Sequence, residues 1–494
     1  MLVNDKAALR RILAHAGIGL MACCAMTGAA HAADAAVASV PPAQCGAGSR
    51  PETALQGQVP AADRISGRSR LGYSCNLSLT GQYQGEGASL VSAVAGRCAY
   101  VPTAYGGIRK KQFQGVQVID VSDPARPQRV ASLDTRAFHV GTWESLKTSP
   151  AGNLLAGAGV GILYGTNKLD LYDVSDCTRP RLLNKDAGGT DSLPVDNLAH
   201  EAEWSPDGRT YWIASNAAGL LSAIDVSDPA KPRNIYYGGS SIFLNHGMSF
   251  NADGTRMYLA SMFPAGLVVL DVSDIQLRRG GTPRVRQLAR LKWDDGSISQ
   301  QATSVSYRGR PYVIVADESG SNGTNGAVRI IDVSDERNPK VVSVIRLEIQ
   351  QKQHLEARRQ DLAGDGLFSY DAHYCSVDGR NDPTALACGY FNSGIRVFDI
   401  VDPLKPREIA YFNPPAQTGR NARLPASDHA GMPALGTLDG VPQATDSSGL
   451  KLADLSADWC PSPPRFVNGQ LWVSCQDNGF MVLDFTNGVY PIRR

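Results

Sequence analysis

The stretch GVQVIDVSDPARP, residues 115–127, decides how the chain reads. A run of β-branched and apolar residues ends at Asp120, as a strand would, and turn chemistry follows at once. The Asp123 carboxylate can accept a hydrogen bond from an amide two residues on, and Pro124 fixes its own φ near the turn value. The pattern returns as KLDLYDVSDCTRP (168–180), GLLSAIDVSDPAKP (219–232), GLVVLDVSDI (266–275), GAVRIIDVSDERNP (326–339), GIRVFDIVDPLKP (394–406) and GFMVLDFTNGVYP (479–491). Each copy carries its aspartate: Asp120, Asp173, Asp225, Asp271, Asp332, Asp399 and Asp484.

Spacing between successive aspartates runs from 46 residues (Asp225 to Asp271) to 85 (Asp399 to Asp484), room for four short strands and variable loops. A second element, SPAGNLLAG (149–157), SPDGRTYWIAS (205–215), NADGTRMYLAS (251–261) and VNGQLWVS (467–474), places a glycine turn before an apolar strand. Copies such as VVLDV are apolar at nearly every position, so both faces of the strand are buried. Four-stranded units with both faces covered predict an all-β, seven-bladed β-propeller. The segment CNLSLTGQYQGEG (75–87) has strand character without a preceding VIDV strand, and the last copy is followed only by IRR. A strand near Leu77–Tyr83 is therefore expected to complete the last blade and close the ring, removing an exposed sheet edge.

The repeated apolar run ending in aspartate resembles the LVIVD-repeat family of bacterial-type exported or cell-surface β-propellers, over roughly residues 75–494. The resemblance implies a fold and a surface location and no settled activity.

The chain divides by sequence into a leader (1–32), an Ala/Gly/Pro/Ser-rich N-terminal extension (33–74) and the propeller (75–494), with long insertions at about 348–370 and 413–458. The leader has basic residues at Lys6, Arg10 and Arg11, an apolar centre too short to span a membrane, and small residues at Ala30 and Ala32. It reads as a signal peptide, which places the protein in the periplasm, outside the cell or on its surface. A lipoprotein reading with Cys23 as the anchor stays open, and is the one route to a membrane. Beyond the leader lie eight cysteines. Cys375 with Cys388 and Cys460 with Cys475 flank predicted hairpin turns and are expected to pair as disulfides. The pairing of Cys45, Cys75, Cys98 and Cys177 is open.

A net charge of +1, with Arg109–Lys110–Lys111 as the tightest basic run, argues against nucleic acid. GxSxG, P-loop, HExxH and CxxCH motifs are absent. The long insertions fall on one face, the expected recognition surface. In five units a polar residue stands eight residues before the hairpin glycine, Glu144, His200, His246, Gln301 or Asp371, at the predicted start of an innermost strand. His373 lies two residues deeper, Glu203 sits nearby on the opposite face of its strand, and His429 lies in a long loop. Imidazoles and carboxylates around one opening suit a divalent metal, with His200, His246 and Glu144 the first trio and Gln301, Asp371, His373 and Glu203 further candidates for a ligand. A purely structural role fits the same residues, since polar strand starts satisfy nearby amides. DxSD pairs such as Asp120 with Asp123 suit turns better than calcium. The expectation is a monomeric binding module for a protein, peptide or polar small ligand, with no catalytic residue assigned. A metal-assisted hydrolase or oxidoreductase at the channel mouth is the runner-up.

Overall fold

A computed structural model describes residues 38–103, 112–139, 141–159, 168–185, 193–195, 199–215, 219–239, 244–361, 368–416, 424–427 and 457–492. The leader, Cys23, the basic run at 109–111, His429 and most of the 413–458 insertion lie outside them.

The described chain is all-β, built from blade-like antiparallel sheets. The first meander runs Ala93–Ala95, Cys98–Pro102, Val116–Asp120 and Gln128–Leu133. The repeated motif supplies its third strand, and the same order holds at Ala199–Trp204, Thr210–Ser215, Leu220–Asp225 and Arg233–Gly239. Third strands are buried on both faces, with only the terminal aspartate of Val116–Asp120 and Gly266–Asp271 reaching partial exposure.

The aspartates act as the turn reading requires. Asp120 Oδ1 accepts from the Ser122 amide at 2.9 Å, and Asp123 Oδ1 from the Ala125 amide at 3.1 Å. Equivalent bonds join Ser175 to Asp173 (3.0 Å), Ser227 to Asp225 (3.1 Å), Ser273 to Asp271 (3.0 Å) and Ser334 to Asp332 (2.9 Å). Oxygen atoms engaged in this way serve the turn, which accounts for the DxSD pairs without calcium.

Three features depart from separate four-stranded units, the smallest being Leu193–Pro194, which pairs with Lys168 and Leu169 as an extra segment. The meander at Leu244–Lys292 and the next, at Gly296–Ile345, belong to one sheet, because the strands Gly296–Tyr307 and Arg310–Gly320 are unusually long and Ile298 pairs with Met262. The sheet ending in Arg407–Asn413 gains a fifth strand, Tyr73–Cys75. The stretch beginning at Cys75 is thus two strands, not one. Asn76, at φ 56°, separates them, and Leu77–Tyr83 then pairs with Gly479–Phe485. Buried Asn76 donates to the carbonyls of Gln44 and Ile409 and accepts from the Gly46 amide and the Asn487 side chain. This explains a left-handed asparagine here. Gly81 lies against the next SDP turn, where a Cβ would come within 2.1 Å of the Pro124 carbonyl.

Residues 38–75 are docked by charge and covalency. Buried Arg396 pairs with Glu52 and, at 3.0 Å, with Glu408, while Asp361 accepts from Gln58 and the Ala61 amide. Disulfides join Cys45 to Cys75, Cys98 to Cys177, Cys375 to Cys388 and Cys460 to Cys475. Cys375 and Cys388 are direct cross-strand partners, as the hairpin reading requires. Cys460 instead precedes the strand Arg465–Val467, and its amide donates to the Tyr390 carbonyl. Four disulfides are the chemistry of an oxidising compartment.

The turn aspartates predict acid sensitivity. Burial works to raise the Asp225 carboxyl, but the Ser227 hydroxyl and amide, with Arg233 and Arg278, hold it far below its ordinary 3.8. A carboxyl lowered by folding stabilises the fold above its unfolded value, and that contribution is lost as pH falls through the folded value. The contribution of these carboxyls to the melting temperature should therefore be level from neutral pH to about 5 and be lost below about 4. Asp225→Asn should melt lower at pH 7 and show a shallower acid limb in a calorimetric pH series.

Candidate functional site

Five buried side chains from separate elements converge on one point: Glu144, His200, His246, Glu318 and His373. Glu144 Oε2 lies 2.7 Å from His200 Nε2 and 3.4 Å from His246 Nε2, and its Oε1 lies 3.0 Å from His373 Nε2. Glu318 is 3.2 Å from His373 Nε2 through Oε2 and 4.0 Å from His246 Nε2 through Oε1. Gln300 Nε2 donates to Glu144 Oε1 at 2.7 Å.

The local backbone explains the convergence. Strand pairing slips by one residue between Ala199 and Glu201, leaving His200 as the extra residue of a bulge. It slips again between Asn245 and Met248, around His246, and between Ala372 and Cys375, around His373. In the pair Gly296–Tyr307 and Arg310–Gly320, slips on the two strands leave Gln300 and Glu318 unmatched. A bulge re-aims a side chain that strict alternation would send elsewhere, and every strand-borne member of the cluster stands on or beside one. Glu144 comes from outside the sheets, held by a parallel bridge to Glu201. Gly247 permits the crowding, since a Cβ there would meet the Gln300 carbonyl at 2.5 Å.

Electrostatics divides the cluster. Burial alone would raise Glu144, but His200 and His246, with hydrogen bonds from His200 and His373, hold it well below the usual carboxylate range. Burial takes His246 down to about 3, with the charges of His200 and His373 adding and Glu144 opposing. Burial also opposes protonation of His373, yet Glu144 and Glu318 outweigh it and raise that imidazole to about 10. The Pro461 carbonyl, 3.0 Å from His373 Nδ1, can only accept a hydrogen bond, so Nδ1 carries a proton in either charge state of the ring and Nε2 faces the two carboxylates. Holding one imidazole nitrogen on a backbone carbonyl is how proteins orient the other toward a cation.

Behind the cluster, Lys147 pairs with Glu201 at 2.7 Å, and the Tyr374 hydroxyl donates to Glu201. Burial pushes Glu201 up to about 8, Lys147 working against it and Glu144 with it. The Trp143 and His200 rings lie 4.3 Å apart, and those of His200 and His246 4.6 Å.

The donor atoms of Glu144, His200 and His246 lie within 4.8 Å of one another, as do those of Glu144, Glu318 and His373. A third grouping, Asp458, Cys460 and Cys475, offers no thiolate because its cysteines are joined. The structure does not bring the other sequence candidates to the cluster. Gln301 Oε1 accepts from the Cys375 amide at 2.7 Å, because the bulge turns Gln300 inward in its place. Asp371 accepts from the Gly326 amide and the Asn325 side chain, and Glu203 from the Trp204 amide. Sequence reasoning missed Glu318, Gln300, Glu201 and Lys147. The one signal for Glu318 is its place at the end of the apolar run VIVADE (313–318).

Blade-like antiparallel repeats around an imidazole and carboxylate cluster define the class of molecule. Residues 112–135 match the LVIVD repeat, so the motif ending at Asp120 is an LVIVD repeat. No curated protein sequence matches the chain. Similar solved structures include a periplasmic gluconolactonase of Pseudomonas aeruginosa (16% identity, TM-score 0.40, 53% of this chain and 70% of that one). They also include a putative 6-phosphogluconolactonase of Bacteroides fragilis (11%, 0.44, 64% and 81%) and a functionally unknown protein of Desulfotomaculum acetoxidans (12%, 0.43, 66% and 89%).

In urea unfolding at pH 9, above the value of about 8 to which burial pushes Glu201, replacing Lys147 with Met should leave that carboxylate charged without its countercharge and cost about 3–5 kcal/mol. Lys147→Met/Glu201→Gln should recover part of that loss. A single variant within about 1 kcal/mol of the parent would contradict the pairing argument.

Proposed function

We propose that the chain is an exported, seven-bladed β-propeller, closed by Leu77–Tyr83 on its last blade, that binds a divalent cation at the inner strands and uses it to take a polar ligand. The repeats and the pairing of Leu77–Tyr83 with Gly479–Phe485 support the ring. The four disulfides and the sequence of the leader support export. The observation that carries the metal is the set of bulges. Several inner strands break their ladders where a histidine or carboxylate must be turned toward Glu144. Such breaks give up backbone pairing and are understandable where the re-aimed side chains have a common partner.

The donor set indicates which cations suit the site. Three imidazoles and two carboxylates favour zinc, manganese, iron or copper over calcium or magnesium, whose preferred donors are all oxygen. An ion here would neutralise two buried carboxylates and present an open coordination position to a polar or anionic ligand. His200 and His246 would supply neutral nitrogen donors, and Lys147 would balance Glu201 behind them. The ligand class follows from the metal: a group with an oxygen or nitrogen lone pair.

Protein made without a His tag, and exported so that its disulfides form, should retain stoichiometric transition metal after dialysis, measured by elemental analysis. Chelation should lower its melting temperature, and Zn²⁺ or Mn²⁺ should restore it through mass action. His200→Ala/His246→Ala should lower both the retained metal and the restoring shift. Wild-type protein that retains no metal, and whose melting temperature no divalent cation moves, would overturn the metal reading.

A further inference from the structure

The two carboxylates of the cluster are placed alike, each with one oxygen on either side. Glu144 turns Oε2 toward His200 and His246, at 2.7 and 3.4 Å, and Oε1 toward His373, at 3.0 Å. Glu318 repeats the division, with Oε1 4.0 Å from His246 Nε2 and Oε2 3.2 Å from His373 Nε2. The close donor groupings follow that line: Glu144 with His200 and His246 on one side, Glu144 with Glu318 and His373 on the other. A single ion with ligand bonds of about 2.0–2.2 Å would use one oxygen of each carboxylate, or both from one direction. Oxygens that face opposite histidines are arranged as bridges, and carboxylates bridge cations about 3.5–4 Å apart.

The nitrogen donors are distributed to match. His200 and His246 share one side, their rings 4.6 Å apart and nearly perpendicular. His373 stands alone on the other, its Nδ1 hydrogen on the Pro461 carbonyl and its Nε2 buried between both carboxylates, at 3.0 and 3.2 Å. Gln300, donating to Glu144 Oε1, fixes the plane of the carboxylate that both sides share.

We propose that the site is dinuclear: Glu144 and Glu318 bridge two divalent cations, His200 and His246 cap the first, and His373 caps the second. This rests on the metal reading of the preceding section and goes beyond it in number and assignment. Two adjacent cations would favour a ligand whose oxyanion can span them, such as a carboxylate or a phosphoryl group.

Metal-free protein titrated with Mn²⁺ and followed by elemental analysis and electron paramagnetic resonance decides the matter. About two equivalents per chain are expected, with the multiline signal of an exchange-coupled pair. His373→Ala should keep about one equivalent and lose the coupling, as should His200→Ala/His246→Ala, while Glu144→Ala should bind neither ion tightly. Circular dichroism identifies variants that fail to fold. Should they fail, the wild-type stoichiometry and coupling still decide. One equivalent with an uncoupled signal would overturn the dinuclear assignment and leave the mononuclear reading standing. No bound Mn²⁺, Zn²⁺ or Co²⁺ would remove both.

Discussion

An aspartate at the end of a strand, hydrogen-bonded to the amide two residues ahead, is the constraint on which this molecule is built. It stops the third strand of a meander and turns the chain for the fourth. The same carboxylates also receive arginines, as Asp225 does from Arg233 on the paired strand and Arg278 in the turn after Ser273–Gln276, at 3.0 and 3.2 Å. With the outer half of each unit fixed this way, its third strand can be buried on both faces, and neighbouring sheets pack through Val, Ile and Leu. Third strands slip once against the fourth, as between Val118 and Ile119, and first strands slip elsewhere.

They deviate at the cluster. A strand alternates its side chains with period two, so an uninterrupted strand could present its His or Glu on only one fixed face. Bulges around His200, His246 and His373 change that face locally while the remainder of each strand stays in register. The resulting pocket of charge is deep and internally balanced: Glu144 and Glu318 against His373, and Glu201 against Lys147. Removing a basic member leaves a carboxyl buried without its countercharge, a situation proteins tolerate poorly.

Much of this was legible in the sequence because repetition averages out local ambiguity. The recurring aspartate marked each third strand, the glycine turns marked the hairpins, and a fixed count back from those glycines reached Glu144, His200 and His246. The same count failed at Gln301 and Asp371, since bulges shift which residue faces inward and leave no compositional trace. Glu318 was invisible for another reason: it lies on a second strand, where a count anchored to first strands does not look. The break at Asn76 was hidden because Cys75–Tyr83 reads as one strand, and only the positive φ at Asn76 shows where the chain crosses between sheets.

That crossing bears on how the molecule comes to be assembled. Leu77 pairs with Phe485 and Tyr83 with Phe480, so a strand made early meets its hydrogen-bonding partner only when nearly all of the rest has been synthesised. Until then both ladders stand open, and contacts of such long range form slowly. A growing chain of this design spends its longest vulnerable period with adhesive edges at its two ends, and aggregation competes with folding there first. Gln82, whose side-chain amide reaches the Asn478 carbonyl at 2.7 Å, adds a polar latch to that late seam.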